Sequence, residues 1–234
     1  MICNADIFLI FYGISASKKE VSALLYFRHY LKKAEFGFLC GMPKSIVAFC
    51  DNGKYHDIDV EDDVTIFARY ENGATGTFIT STGEYPGTNR LEISGSKGKI
   101  VLENGILKWW KLCKDERDVC VESDQGFAEI DYEYSEITCD EPESAHKGIL
   151  QNFVNAILYG EELIAPGTDG IFELTLSNAA YLSSWKNNCE ITIPFDSTEF
   201  DEKIAELSQI AKNCKGEIEQ SHSSEYKERW KVRW

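Results

Sequence analysis

Apolar and polar side chains alternate along residues 45–138, and this period of two is typical of β-strands. The alternation predicts a strand over residues 45–51, followed by two strands over residues 64–70 and 74–82. The dipeptide Asn72-Gly73 lies between the last two strands, and both of its residues tolerate the positive φ of a tight turn. The sequence therefore predicts a β-hairpin at this position.

The register of this hairpin follows from the length of its turn. With a two-residue turn, Phe67 faces Phe78 and Ile66 faces Ile79. Both faces of the hairpin then carry apolar pairs, so we expect both faces to be covered.

A second hairpin has the same signature. Residues 99–103 and 106–112 flank Asn104-Gly105, and a strand over residues 90–94 precedes them. The pairing places four apolar side chains on one face: Ile100, Leu102, Leu107 and Trp109. With a further strand around residues 128–138, the pattern predicts a mostly antiparallel sheet of about six strands.

Helical spacing of apolar residues dominates the chain after residue 140. Residues 143–159 carry an apolar stripe and end at Gly160, a residue suited to a helix C-terminus. Similar stripes predict helices over residues 171–187 and 200–211, with a short strand over residues 190–194 between them. The predicted order is therefore a run of strands followed by a run of helices.

The amino-acid composition and net charge limit the kinds of molecule that the protein is expected to bind. The 234 residues are 43% hydrophobic, which is enough for a substantial core, and the formal net charge is −15. Such a charge repels phosphate backbones and anionic lipids, so nucleic-acid and membrane-surface binding are not expected. No apolar run approaches the roughly 20 residues of a membrane span. We expect a cytoplasmic protein whose partner is a small molecule or another protein.

The eight cysteines are scattered, with no Cys-x-x-Cys pair and no matching histidine pair. We interpret them as reduced packing residues and expect no metal site.

Two long segments resemble a known family. The first is CGMPKSIVAFCDNGKYHDIDVEDDVTIFARYENGATGTFITSTGEYPGTNRLEISGSKGKIVLENG, and the second is HKGILQNFVNAILYGEELIAPGTDGIFELTLSNAAYLSSW. Four features follow one another in order along these segments: acidic residues at the start of a strand, an NG hairpin, a GTNRLEI strand and a helix that starts at PGTDG. Residues 40–196 therefore resemble the C-terminal domain of the Gfo/Idh/MocA oxidoreductases, which include glucose-fructose oxidoreductase and inositol dehydrogenase.

The resemblance implies an α+β fold: an open-faced, mostly antiparallel sheet with helices packed on one face, similar to the C-terminal domain of glyceraldehyde-3-phosphate dehydrogenase. In the family this domain shapes the substrate pocket, and the open face of its sheet commonly pairs with a second subunit. A homodimer or higher homo-oligomer through that face is therefore expected.

The family's dinucleotide-binding half has no counterpart in the sequence. Full-length members carry a Gly-x-Gly-x-x-Gly turn whose backbone N–H groups hold the pyrophosphate, and this spacing occurs nowhere in the 234 residues. The family's Glu-Lys-Pro motif is also absent. NAD(P) is implied for the full-length family, but we expect this chain alone to bind no cofactor and to be inactive by itself.

Three segments are expected on this basis. Residues 2–16 fit either a strand or a helix and residues 21–38 fit a helix, so residues 1–39 are interpreted as a diverged segment or remnant. Residues 40–213 form the family-like domain. Residues 214–234 form a basic, aromatic tail.

One histidine is a weak catalytic candidate. In the family a histidine before the segment that matches Leu39-Cys40-Gly41 transfers a proton to or from the substrate. His29 lies near this place but out of register, so an ordinary helix-surface histidine is the preferred interpretation. His146 opens a predicted helix and is interpreted as a packing or capping residue.

The acidic stretch HDIDVEDDV, residues 56–64, raises the question of a metal site. Strand alternation divides its acids between the two faces, so they do not converge, and a solvated edge of the sheet is the preferred interpretation. The resemblance brings the preceding loop close to the pocket. Lys54, Tyr55 and His56 then supply a cation, a phenol and an imidazole that can hydrogen-bond sugar hydroxyls.

A second group of candidate substrate-binding residues follows the first hairpin. Thr80 and Thr82 share one face of a strand whose end leads, through a glycine-containing loop, to Asn89 and Arg90. Hydroxyls beside such a loop can form a polyol-binding edge. The alternative, that the threonines are ordinary strand residues and Arg90 an ion-pair partner, has equal weight.

Two functions remain open. The first is the substrate-side and oligomerisation domain of an NAD(P)-dependent sugar or cyclitol oxidoreductase, with a sugar or polyol as ligand. The second is a non-catalytic carbohydrate-binding or self-association module derived from the same family.

Overall fold

The computed structural model describes residues 8–12, 41–58, 60–138 and 145–214. The strands are β1 Phe8–Tyr12, β2 Ser45–Asn52, β3 Glu61–Arg69, β4 Thr75–Ser81, β5 Arg90–Gly95, β6 Gly98–Glu103, β7 Ile106–Leu112, β8 Tyr132–Thr138 and β9 Ile191–Thr192. The helices are α1 Glu116–Glu122, α2 Ala145–Tyr159, α3 Gly170–Trp185 and α4 Ser197–Cys214, with a 3₁₀ turn at Gly167–Asp169.

The described strands form one sheet in the order β8-β7-β6-β5-β1-β4-β3-β2-β9. Its pairings are antiparallel except for β1, which runs parallel to β4 and antiparallel to β5. The fold is therefore the predicted α+β class. β1 lies in the middle of the sheet, so residues 8–12 adopt the strand alternative left open by the sequence. The three-segment division of the chain stays a prediction.

The register predicted for the first hairpin is wrong by one residue. Ile66 pairs with Phe78, and Phe67 pairs with Thr77. The reason is the loop length: the Tyr70 N–H donates to the Ala74 carbonyl at 2.9 Å, which closes a three-residue loop. Gly73 in this loop has φ +86°. The apolar side chain of Phe78 therefore faces the core, and Ile79 faces the other side of the sheet.

The second hairpin is as predicted. Glu103 pairs with Ile106 across a two-residue turn in which Asn104 has φ +53° and Gly105 has φ +76°. Ile100 opposes Trp109 and Leu102 opposes Leu107, so the four apolar side chains share one face. The sheet is wider than the roughly six strands expected, because β1 and the short β9 also join it. Helix α1 was not predicted.

The core lies between helix α3 and the sheet strands β2, β3 and β4. Its buried side chains are Ile46, Ala48, Val64, Ile66, Ala68, Tyr70, Ala74, Phe78, Leu176, Ala179, Ala180, Leu182 and Ile191. Ala179 and Ala180 are fully buried, and their small side chains let α3 approach the sheet closely. The period-two pattern of Val64, Ile66 and Ala68 determines which face of β3 receives the helix.

Beyond β9, side chains from α3 and from the loop after it hydrogen-bond the outer edge of β2. β9 pairs only with residues 45 and 46 of β2. At the next outward-facing position, the Ala48 N–H donates to Ser183 Oγ at 2.9 Å, and Asn188 Nδ2 donates to the Ala48 carbonyl at 2.7 Å. Ser183 Oγ also donates to the Cys189 carbonyl at 2.6 Å. This edge of β2 is therefore satisfied by side chains rather than left open.

Replacement of Ser183 by alanine is expected to lower the free energy of unfolding by about 1–3 kcal/mol. The hydroxyl is fully buried, and its loss leaves the Ala48 N–H without an acceptor and the Cys189 carbonyl without a donor. Urea denaturation of Ser183→Ala measures the effect. Ser208→Ala, on the exposed surface of α4, is the control and should change the free energy by no more than about 0.5 kcal/mol. Equal effects of the two substitutions would contradict the edge role.

Helix α2 presents an apolar surface to solvent. Leu150 is 66% exposed, Ile157 68% and Phe153 53%, and the first turn of α3 adds Ile171 at 61%. Exposed apolar side chains at i, i+3 and i+7 of one helix, as in α2, are typical of a surface that contacts another structural unit. None of the helices in the described ranges has the length and apolarity needed to cross a membrane.

Candidate functional site

The interpretation of the acidic stretch as a solvated edge is wrong for two of its acids, Glu61 and Asp62. Glu61 is 3% exposed and Asp62 is fully buried. β3 begins at Glu61, and Asp62 lies in phase with Val64 and Ile66, so its carboxylate points to the covered face. The Glu61 carboxylate accepts a hydrogen bond from the Tyr181 hydroxyl of α3 at 2.9 Å.

The Asp62 carboxylate organises the loop between β2 and β3. It accepts three backbone N–H groups, from Lys54 at 2.8 Å, Tyr55 at 2.7 Å and His56 at 2.8 Å. Hydrogen bonds to a charged acceptor are the stronger class in proteins. A buried carboxylate otherwise costs several kcal/mol to desolvate, so these donors explain why it is tolerated in the core. The loop is thereby held in one conformation.

The His56 ring meets the end of β4. Its Nδ1 lies 3.1 Å from Thr82 Oγ1 and 3.4 Å from Asp62 Oδ2. The side chain is 29% exposed, whereas Thr82 is buried. The Thr82 N–H donates to the Asp62 carbonyl at 2.9 Å, which ties the end of β4 to the start of β3. His56 therefore lies at the surface of a rigid, polar cluster, with one ring nitrogen facing its interior.

Lys54 and Tyr55 lie on the outer side of this loop. The Lys54 amine pairs with Asp63 and lies 3.5 Å from Asp51. The hydrogen bond to Asp63 raises the pKa of Lys54 above its ordinary value. Tyr55 packs against Gly83 so closely that a Cβ at residue 83 would come within 2.3 Å of the ring. The charge of Lys54 is thus largely balanced within the chain.

The second group of candidate substrate-binding residues, Thr80, Thr82, Asn89 and Arg90, does not lie on one face of the sheet. Thr80 and Thr82 are both buried and share the helix-covered side of β4. Arg90 lies on β5, in register through β1 with Ile79, which places it on the opposite face from Thr80. Asn89 is exposed in the connection before β5. The structure therefore brings Lys54, Tyr55, His56 and Thr82 together, and Arg90 lies apart from them.

Arg90 belongs to an ion-pair network on β5 and β6. Its guanidinium contacts Glu92 at 2.6 Å and Glu103 at 3.4 Å, and Lys99 contacts Glu92 at 3.3 Å. The hydrogen bond to Glu92 raises the pKa of Arg90. Burial acts to raise the pKa of Glu92, but the hydrogen bonds from Arg90 and Lys99 outweigh it and lower that pKa. These contacts fit the structural role of Arg90 that the sequence left open.

Sequence reasoning overlooked Asp62 as the centre of the cluster. The signal was present, because the alternation of β3 places Asp62 on the same face as Val64. A charged residue in phase with a buried stripe requires donors, and the only nearby source was the loop that precedes it. His29 lies outside the described residues. His146 lies at the start of α2, where the backbone alone is described.

Two features of the described ranges bear on a dinucleotide or a metal ion: the parallel strand pair, and the positions of the histidine, cysteine and acidic side chains. β1 and β4 are the one parallel pair in these ranges, and β4 leads into β5 rather than through a glycine-rich turn into a helix N-terminus of the kind that binds a pyrophosphate. No three His, Cys, Asp or Glu side chains within the same ranges lie close enough to hold a metal ion.

Cys50 is expected to resist alkylation. Burial, reinforced by the negative charge of Glu61, raises its pKa from 9.0 to about 12, so at pH 8 it carries roughly 1,000-fold less thiolate than an unperturbed thiol. Iodoacetamide labelling at pH 8 followed by peptide mapping should modify the exposed Cys113 first. In urea the two thiols should react alike. Labelling of Cys50 as fast as Cys113 in the folded chain would contradict this.

The described strands and helices define the fold class: an α+β domain built on one mostly antiparallel sheet. Residues 35–101 match the family model described as GFO/IDH/MocA C-terminal domain. The resemblance inferred from the sequence is confirmed over those residues. No curated protein matches the chain.

Solved structures of dehydrogenases share the fold. The WlbA dehydrogenase from Bordetella pertussis, in complex with NADH and UDP-GlcNAcA, is 19% identical with a TM-score of 0.58; the match covers 83% of this chain and 56% of that one. Levoglucosan dehydrogenase, in complex with NADH and levoglucosan, is 17% identical with a TM-score of 0.59, covering 83% and 60%. The oxidoreductase domain protein from Kribbella flavida is 16% identical with a TM-score of 0.61, covering 83% and 60%. The chain thus matches little more than half the length of each.

Proposed function

We propose that this chain is the substrate-side domain of a Gfo/Idh/MocA-type NAD(P)-dependent oxidoreductase, and that it binds a neutral sugar or cyclitol. The observation that carries the proposal is the polar cluster in which buried Asp62 holds Lys54, Tyr55 and His56 beside Thr82. An imidazole, a phenol and an ammonium group held on one rigid loop can each hydrogen-bond a hydroxyl.

The local charge favours a neutral ligand over an anionic one. The Lys54 amine is paired with Asp63 and near Asp51, while the whole chain has a net charge of −15. An anionic sugar would meet repulsion that a neutral polyol avoids. Two solved structures with the same fold are complexes of a dehydrogenase with NADH and a sugar derivative, and this supports oxidoreduction of a sugar as the reaction class.

The proposal assigns NAD(P) to a nucleotide-binding domain outside the described residues. The exposed apolar surface of α2 and the first turn of α3 supports contact with such a unit, because burial of Leu150, Ile157 and Ile171 would remove a large apolar area from water. The solved relatives are longer than the segment that this chain matches, which agrees with a further domain.

We also propose that the sheet face opposite α3 associates with a second copy of the chain in the cytoplasm. Phe49 is 53% exposed on this face, and Val47 and Phe67 lie beside it in register. Phe49→Lys should shift a dimer to a monomer in light scattering, because a charge would be buried in the interface. A wild-type monomer at high concentration would contradict the proposal.

Thermal shift with a panel of neutral sugars and inositols tests the ligand class. One neutral polyol at ten times its Kd should stabilise the folded chain by about 1.4 kcal/mol and raise Tm by roughly 3–6 °C. His56→Ala should reduce the shift to about a third at the same ligand concentration, and Glu71→Ala, in the exposed turn of the neighbouring hairpin, should preserve it. Tight binding of NADH to the chain alone, or no response to any polyol, would contradict the proposal.

A further inference from the structure

Both neighbours of the His56 ring contact the same nitrogen. Thr82 Oγ1 lies 3.1 Å from Nδ1, and Asp62 Oδ2 lies 3.4 Å from it. No contact of Nε2 with another described residue accompanies them. The side chain remains 29% exposed, which leaves room for a ligand to reach the ring.

The hydrogen-bond network decides which nitrogen carries the proton. The Thr82 hydroxyl has one hydrogen, and two acceptors are within its reach: the Asp62 carbonyl at 3.4 Å and His56 Nδ1 at 3.1 Å. The Asp62 carboxylate lies 3.4 Å from Nδ1 and can only accept, so it favours a ring proton on Nδ1. With that proton in place, the Thr82 hydroxyl donates to the Asp62 carbonyl. Its lone pairs are then directed at Nδ1 as acceptors. The Asp62 carboxylate is an acceptor as well, already fixed in place by three backbone N–H groups. Two acceptors around Nδ1 require a donor there, so the neutral ring carries its proton on Nδ1.

We propose that His56 is a specificity-determining residue whose unprotonated Nε2 accepts a hydrogen bond from a ligand hydroxyl. Thr82 and Asp62 act through it as positioning residues, because they fix the tautomer and the orientation of the ring. A lone pair at Nε2 accepts from the hydroxyl of a neutral polyol and repels the oxygens of a phosphate or carboxylate. The identity of the ligand rests on the proposed function, whereas the tautomer rests on the contacts alone.

Long-range ¹H–¹⁵N correlation spectra of the histidine rings test the tautomer in the full chain. At pH 8 the His56 ring, assigned with His56→Gln, should show its proton on Nδ1. Thr82→Val keeps the shape of the side chain, removes the hydroxyl and should shift the tautomer population. Thr82→Ser should restore the wild-type pattern, and Thr77→Val, elsewhere on β4, should not change it. A proton on Nε2 in the wild type would overturn the tautomer, and no effect of Thr82→Val would overturn the positioning role of Thr82.

Calorimetric titration with myo-inositol, D-glucose and glucose 6-phosphate tests the role in specificity. Loss of one hydrogen bond predicts an affinity for the neutral polyol about 10-fold lower in His56→Ala and about 5-fold lower in Thr82→Val. Thr82→Ser should stay near the wild type, and the phosphorylated sugar should bind more weakly than the neutral one. Equal affinities of wild type and His56→Ala would overturn the role of His56. Failure of every probe to bind the wild type would instead overturn the proposed function, and the spectra would decide the tautomer separately.

Discussion

Gly98→Ala is expected to destabilise the folded chain by about 3–5 kcal/mol, with a fall in Tm of roughly 6–20 °C. Gly98 begins β6 with φ +139°, a conformation that side chains other than hydrogen rarely adopt. A Cβ at this position would also lie 2.0 Å from the Trp110 carbonyl oxygen, which belongs to the backbone of the neighbouring strand. The strand cannot move away without loss of its pairing, so strain and clash act together. Urea denaturation with parallel calorimetry measures the change.

Substitutions at two other glycines distinguish the contribution of backbone strain from that of the steric clash. Gly105 has φ +76° but open space where its Cβ would lie, so Gly105→Ala should cost only about 1 kcal/mol of backbone strain. Gly126 has open space and no positive φ, so Gly126→Ala should lie within about 0.5 kcal/mol of the wild type. A Gly98→Ala protein as stable as Gly126→Ala would show that β6 and β7 do not approach as described.

Asp62→Ala is expected to lower the free energy of unfolding by about 3–5 kcal/mol. The substitution removes the acceptor of three backbone N–H groups and leaves a cavity at a fully buried position. Part of the loss is recovered when the loop swings into water, which is why the effect is smaller than the sum of three charged hydrogen bonds. Chemical denaturation measures the stability, and hydrogen exchange should show faster exchange of the amides of Lys54, Tyr55 and His56.

The matched control is Asp124→Ala, which removes the same charge from an exposed loop and should change stability by no more than about 0.5 kcal/mol. Asp62→Asn should fall between the two, because its amide oxygen can still accept some of the three N–H groups while its NH₂ group opposes the others. Unchanged protection of the three amides in Asp62→Ala would refute the organising role of this carboxylate.

The two hairpins show how much of the strand register can be predicted from the turn residues alone. At Asn104-Gly105 both turn residues adopt positive φ, and the register follows from the two-residue turn. At Asn72-Gly73 the same dipeptide lies inside a three-residue loop, because Tyr70 and Ala74 pair across it. Both loops satisfy the local preferences of their residues. The choice between them depends on which side chain, Phe78 or Ile79, is buried against α3.

The sequence by itself determined the local elements of this protein: the strands and hairpins from period-two alternation and glycine turns, and the helices from apolar stripes and their caps. Alternation also placed Asp62 on the same face of β3 as Val64, since it requires no knowledge of distant residues, whereas the burial of that face against α3 is a tertiary feature. Only the tertiary structure decided that β1 enters the sheet between β4 and β5 and that Asp62 gathers the loop of His56 next to Thr82. These arrangements join residues far apart in sequence, and their free energy comes from burial and hydrogen bonds that no local pattern contains.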